Sequence, residues 1–195
     1  SHTITVEVNH DATVEADESC ELVLGAVSGL AVGVDVADFS TDGTPATGTI
    51  INDDTATLTL AGVSASQQEG TTGSITEFTF SVTLDNAVQD DDGFDIAYST
   101  NDGTAKAAAG DYVDIDESLH FTGPAGESHT ITVEVNHDAT VEADASFEVV
   151  LGAVPGPAAG VDVRDLRRAG PTAHGTVPNH EPAHPPPPRA SASPR

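Results

Sequence analysis

The stretch from Ser1 to Val27 returns almost letter for letter at Ser128 to Val154, and nothing else in the chain constrains its fold as strongly. Only Glu18, Cys20 and Leu22 differ, standing as Ala145, Phe147 and Val149 in the second copy. The register then runs on without a gap, setting Gly48-Thr49-Ile50-Ile51-Asn52-Asp53-Asp54 against Gly175-Thr176-Val177-Pro178-Asn179-His180-Glu181. A repeat this long means tandem modules, each large enough for its own core. The expected division is the trailing part of a first module over 1–54, then a complete second module over 55–163 whose degraded last strand runs to 181. On this reading the chain starts inside a module, and the lack of any Met agrees with a piece of a longer polypeptide.

Helical periodicity is absent, whereas apolar and polar residues alternate with a period of two. Phe78, Phe80, Val82 and Leu84 alternate with Thr79, Ser81 and Thr83, and Ile131, Val133 and Val135 alternate with Thr132 and Glu134. Phe147, Val149 and Leu151 share one face of a further strand. Ala56 to Leu60, Phe94 to Thr100, Leu119 to Thr122 and Gly48 to Ile51 complete the set. Turn formers such as Asn101-Asp102-Gly103 and Gly123-Pro124-Ala125-Gly126 separate these runs. The fold class is therefore all-β, an immunoglobulin-like antiparallel sandwich of about seven strands per module. After Val163 arginines appear, and prolines dominate 182–195. That tail has too little apolar surface to offset its ordering entropy, so disorder with polyproline character is expected there.

Asp and Glu number 32 against 6 Lys and Arg, a net charge of −26. Such a surface repels nucleic acid and anionic lipid and attracts cations. No apolar run approaches the roughly 20 residues that span a bilayer, so this segment does not insert into membranes directly. Cys20 is the single cysteine, which leaves no disulfide framework or zinc site and makes a small buried hydrophobe the sensible reading. No nucleophile motif accompanies the histidines, and Trp is absent where sugar sites present aromatic platforms. The reading is a non-enzyme with no catalytic residues.

Four motifs stand in order: Thr100-Asn101-Asp102-Gly103-Thr104-Ala105, then Ala109-Gly110-Asp111-Tyr112, then His137-Asp138-Ala139-Thr140-Val141-Glu142-Ala143-Asp144, and Gly48-Thr49-Ile50-Ile51-Asn52-Asp53-Asp54 at the end of the first copy. Together they resemble the Calx-beta domain, the immunoglobulin-like calcium-binding module of sodium/calcium exchangers, an integrin β subunit and many microbial surface proteins. The resemblance covers Ser1 to about Val163. It implies calcium (Ca2+) held at one end of a sandwich by Glu69, Asp111, Asp138, the Thr140 carbonyl and Glu142, completed by the acidic run closing the last strand, which in the second copy includes Glu181. In the first copy the same family positions are Asp11, Thr13, Glu15, Glu18, Asp53 and Asp54.

Oxygen donors without thiolate suit a hard cation that takes about six to eight ligands. The copies depart from the family pattern differently. The second has Ala145 for Glu18 and His180-Glu181 for Asp53-Asp54, so weak binding is expected there, on the order of 10⁻⁴ to 10⁻³ M. Pro178 also removes a backbone donor, and with the arginines it is expected to spoil the strand near Val177 and leave an edge open. The first copy has the better acidic half-site but lacks its opening strands. Taken together, these features describe a structural or adhesive repeat of an extracellular or cell-surface protein, stiffened by calcium and joined to neighbouring modules and to a surface or matrix partner. The competing readings are a metal-free acidic spacer and a carbohydrate-binding sandwich with Tyr98 or Tyr112 in its cleft.

Overall fold

The computed structural model describes residues 2–40, 43, 45–68, 70, 73–89, 92–137, 143–154, 161–162 and 164–178. The tail expected to be disordered, 182–195, lies outside them. The first copy contributes a two-stranded ribbon, β1 (Glu18–Leu22) and β2 (Ala46–Ile50), paired antiparallel. Among the described residues eight further strands follow: β3 (Ala56–Ser64), β4 (Ile75–Leu84), β5 (Phe94–Asp102), β6 (Asp116–Phe121), β7 (Ser128–Asn136), β8 (Ala145–Leu151), β9 (Leu166–Ala169) and β10 (Thr172–Val177).

Two four-stranded sheets, ordered β10-β8-β5-β6 and β7-β4-β3-β9, face each other. The alternation seen in the sequence supplies their common core. Phe78, Phe80, Val82 and Leu84 of β4, Ile131, Val133 and Val135 of β7, and Phe147, Val149 and Leu151 of β8 are all buried. Phe147 sits at the centre, with ring centroids 5.5 Å from Phe78, 6.2 Å from Phe80 and 5.1 Å from Tyr112. Burying aromatic side chains of this size supplies most of the drive to close such a sandwich.

The repeat is preserved at the level of individual pairs. Glu18, Ser19, Cys20, Glu21 and Leu22 face Ile50, Thr49, Gly48, Thr47 and Ala46. In the second copy Ala145, Ser146, Phe147, Glu148 and Val149 face Val177, Thr176, Gly175, His174 and Ala173 in the same register. The glycine in each pair leaves room for its partner, although Cys20, expected to be a buried hydrophobe, is only partly covered in the two-stranded ribbon. A Cβ on Gly175 would lie 2.2 Å from the Phe147 ring, whereas one on Gly48 would lie 3.0 Å from the Cys20 sulfur.

Two expectations about the end of the module need correction. The strand near Val177 is not spoiled: β10 pairs with β8 over all its six residues. Pro178 stands one position past the last pair, so its missing N–H costs the ladder nothing. Nor is the far edge of β10 open at this point. Thr176 donates to the Ala65 carbonyl and accepts from the Gln67 amide. The arginine segment forms β9, which adds parallel to β3 and carries the paired strands of the module past 163. Only Leu166 of β9 is buried, so a four-residue edge strand leaves no alternation to read. Its parallel sense departs from the antiparallel ladders of the other described strands, the isolated parallel bridges Val14–Val88 and Ser66–Thr176 apart, and the chain crosses from β8 in one sheet to β9 in the other.

Candidate functional site

The six residues assigned to the first copy come together. Asp11, Thr13, Glu15, Glu18, Asp53 and Asp54 line one cleft of ≈ 140 Å³, shared with His10, Asn52 and Ile50. Local geometry explains how segments so far apart converge. Asp11 accepts the Thr13 amide at 2.8 Å and so closes a tight turn. Antiparallel pairing of Glu18 with Ile50 then brings the residues before β1 beside those after β2.

Asn52 ties the two sides. Its side-chain oxygen accepts the Glu15 amide at 3.1 Å, and its own amide donates to Asp17 Oδ1 at 2.9 Å. Its Nδ2 donates both to the Asp54 carbonyl and to Asp165 Oδ2, each at 3.1 Å. Sequence reasoning singled out Asp53 and Asp54 but missed the organising roles of Asn52, Asp17 and Asp165. The repeated Asn at 52 and 179 was a signal for Asn52, while nothing local marks Asp165.

The cleft is strongly acidic. The Glu15 carboxyl is held above its ordinary value, first by partial burial and then by the carboxylates of Asp11, Glu18 and Asp54. Two carboxylates about 4 Å apart repel by roughly 4 kcal/mol at an effective dielectric near 20, so such groups hold back from each other unless a cation or proton intervenes. Among the described residues no three His, Cys, Asp or Glu side chains stand close enough together to hold a metal ion. The donor chemistry nevertheless fits a hard divalent ion, since the lining residues include five carboxylates, no thiolate and a single imidazole, that of His10.

In the second copy Glu69, Asp138, Thr140, Glu142 and Glu181 lie outside the described residues. Their described neighbours do meet at one end. Gly70 packs on the His137 ring, where an added Cβ would come within 2.2 Å, and the Gly73 amide donates to the His137 carbonyl at 3.4 Å. The Asn136 amide donates to the Asp111 carbonyl at 2.9 Å. The Asp111 side chain, however, accepts the Lys106 amide at 2.7 Å and closes its own loop. Asp102 acts likewise, accepting the Ala107 amide at 2.9 Å and the Tyr112 hydroxyl at 2.8 Å. Those two bonds, with Lys106, keep its carboxyl below the ordinary value against a smaller opposing effect of burial.

The tyrosines do not build a sugar platform. Tyr98 and Tyr112 are both buried in the core. Burial first, and then its bond to Glu117 at 2.7 Å, pushes the Tyr98 hydroxyl up to about 12. Both act as fixed neutral donors inside the sandwich.

A family model described as the Calx-beta domain matches residues 52–163. Among solved structures, the apo-form Calx CBD1 domain is 20% identical with a TM-score of 0.44, covering 63% of this chain and 97% of that one. The Calx CBD2 domain is 17% identical with a TM-score of 0.42, over 61% of this chain and 85% of that one. The calcium binding domain CBD12 of CALX1.1 is 21% identical with a TM-score of 0.41, over 62% of this chain and 45% of that one. No curated protein matches the chain.

Proposed function

Since the chain belongs to the Calx-beta domain family, we propose that it is a calcium-binding structural or adhesive repeat of a larger secreted or surface-attached protein. Calcium binds in the cleft between β1 and the residues after β2 and stiffens the junction at Asp53, Asp54 and Thr55. Asp11, Glu15, Glu18, Asp53 and Asp54 supply carboxylate oxygens and Thr13 a main-chain oxygen. The second site, built on Glu69, Asp111, Asp138, Thr140, Glu142 and Glu181, binds more weakly because Ala145 replaces Glu18 and the Asp111 carboxylate is engaged in its own turn. Its partners are calcium, adjoining modules of the same polypeptide and a cell-surface or matrix component. The role is binding and mechanical, with no catalysis.

The observation that carries this reading is the gathering of five carboxylates, those of Asp11, Glu15, Glu18, Asp53 and Asp54, around one cleft. Unneutralised repulsion of that kind is what a divalent cation relieves. By linkage, free calcium at a hundredfold excess over its dissociation constant stabilises the bound form by roughly 2.7 kcal/mol. Calorimetry of the full chain with millimolar calcium is expected to give heat of binding and a rise in melting temperature. The Glu15→Gln variant is expected to be more stable than the parent in chelator and to lose most of the calcium response. Neither heat nor a melting shift would leave the acidic spacer as the better description.

A further inference from the structure

One side chain of the first copy does not belong to its own ribbon. Val14 is fully buried and joins the same core cluster as Leu84, Val88 and Phe121 of the complete module. Its neighbours Asp11 and Ala12 are exposed, and Thr13, Glu15 and Ala16 are only partly covered. Its main chain is engaged as completely as its side chain. The Val14 amide donates to the Ala87 carbonyl at 2.9 Å, and the Gln89 amide donates to the Val14 carbonyl at 2.8 Å, a one-residue parallel bridge opposite Val88. Burying an apolar side chain of this size stabilises the contact, and an unpaired amide or carbonyl there would oppose it, so both the side chain and the main chain of Val14 must be matched.

The receiving corner is built for this. The Val88 amide donates to the Gly123 carbonyl at 2.8 Å, and Gly123 has φ 104°. A Cβ on Gly123 would come within 2.3 Å of the Val88 carbonyl, so only glycine lets the two strands approach. Behind it the Glu127 carboxylate accepts the Thr122 and Gly123 amides at 2.8 and 2.9 Å and is held by His129 at 2.8 Å. Asn86 donates to the Thr55 carbonyl at 2.9 Å and ties the connecting segment to the same corner.

We propose that the Asn86–Gln89 corner is a docking seat for the loop of a neighbouring β-sandwich module, and that Val14 is the plug that fills it. The partner is an extended segment with one β-branched residue whose amide and carbonyl both face the seat. The nine residues Asn9 to Asp17 recur identically at Asn136 to Asp144, so the chain carries the plug sequence twice. Seating depends on shape and main-chain bonds, and it therefore holds with or without a cation in the cleft.

The test uses the full chain throughout, in chelator and in calcium. In the Val14→Asp variant, hydrogen exchange at the Gln89 amide is expected to speed up by about tenfold or more while the β4 amides keep their protection. A synthetic peptide with the sequence of residues 9–17 at millimolar concentration should restore Gln89 protection, and the same peptide carrying Asp for Val should not. Should the charge unfold the module, V14C with V88C in a C20S background gives a second readout. Facing residues of a bridge lie within disulfide reach, so oxidation should cross-link them within one chain. Unchanged Gln89 exchange in Val14→Asp, no rescue by the peptide, or no cross-link would overturn the proposal. A difference between calcium and chelator bears on the cation reading and leaves this one standing.

Discussion

Residues Thr3-Ile4-Thr5-Val6-Glu7-Val8-Asn9 and Thr130-Ile131-Thr132-Val133-Glu134-Val135-Asn136 are the same sequence in two environments. In the second copy they lie in β7, hydrogen-bonded along β4, with Ile131, Val133 and Val135 only 1%, 0% and 2% exposed. In the first copy residues 2–9 carry no strand, and Ile4, Val6 and Val8 are 57%, 58% and 46% exposed. β4 occurs once in this chain, and its edge is taken by Ser128–Asn136. Alternation thus states which face a strand would bury, while pairing and burial come only from a neighbour with free N–H and C=O groups and an apolar face.

The strongest way to break this comparison is to cut the side chains at corresponding positions of both copies. Phe147→Ala is expected to cost about 3–5 kcal/mol in denaturant unfolding and Ile131→Ala about 2–5 kcal/mol, since both leave cavities in a closed core. Ile4→Ala and Cys20→Ala should stay within about 0.5 kcal/mol. Equal losses in the two copies would mean that the first is packed as tightly as the second.

A smaller effect tests the paired glycines. Gly175→Ala must push against the Phe147 ring and should cost about 1–3 kcal/mol, whereas Gly48→Ala meets only the edge of a cysteine and should cost less. A cost at Gly48 as large as that at Gly175 would show that the ribbon tolerates crowding no better than the core.

The smallest effect is in pH dependence, and its sign differs between the copies. Burial pushes Glu127 upward, but His129 and the Thr122 and Gly123 amides outweigh it and hold the carboxyl below its ordinary value. Asp102 is lowered as well. A carboxyl lowered by folding stabilises above its unfolded value, and that contribution disappears as pH falls through the folded one, here below about pH 4. Glu15 is raised, so without metal its charge opposes folding, and protonation relieves that opposition as pH falls through the folded value. Carboxyl titrations followed by NMR should place Glu15 above a free glutamate and Glu127 below it, with the Glu15 difference shrinking in calcium.

Much of the fold was legible because a two-residue period survives any context. β3 through β8 stand where the alternation placed them, and the pairing of β1 with β2 foretells that of β8 with β10 residue for residue. β9 was not legible, since its only buried side chain is Leu166 and its partner is remote in sequence. The supposed weakness at Val177 came from counting Pro178 inside a strand that ends just before it. The acidic half-site was visible as a list of residues, but its assembly through Asn52 and its contact with Asp165 were not.

From its letters alone this chain determined which side chains can face a core, where the strands turn, and that oxygen donors recur at fixed offsets, because these are local consequences of periodicity and residue chemistry. Tertiary structure decided which copy of an identical segment becomes a buried strand, which carboxylates share a cleft, and that Val14 leaves its own module to fill its neighbour's. Those outcomes rest on contacts between residues far apart in sequence, whose free energy belongs to the pair and is written in neither partner.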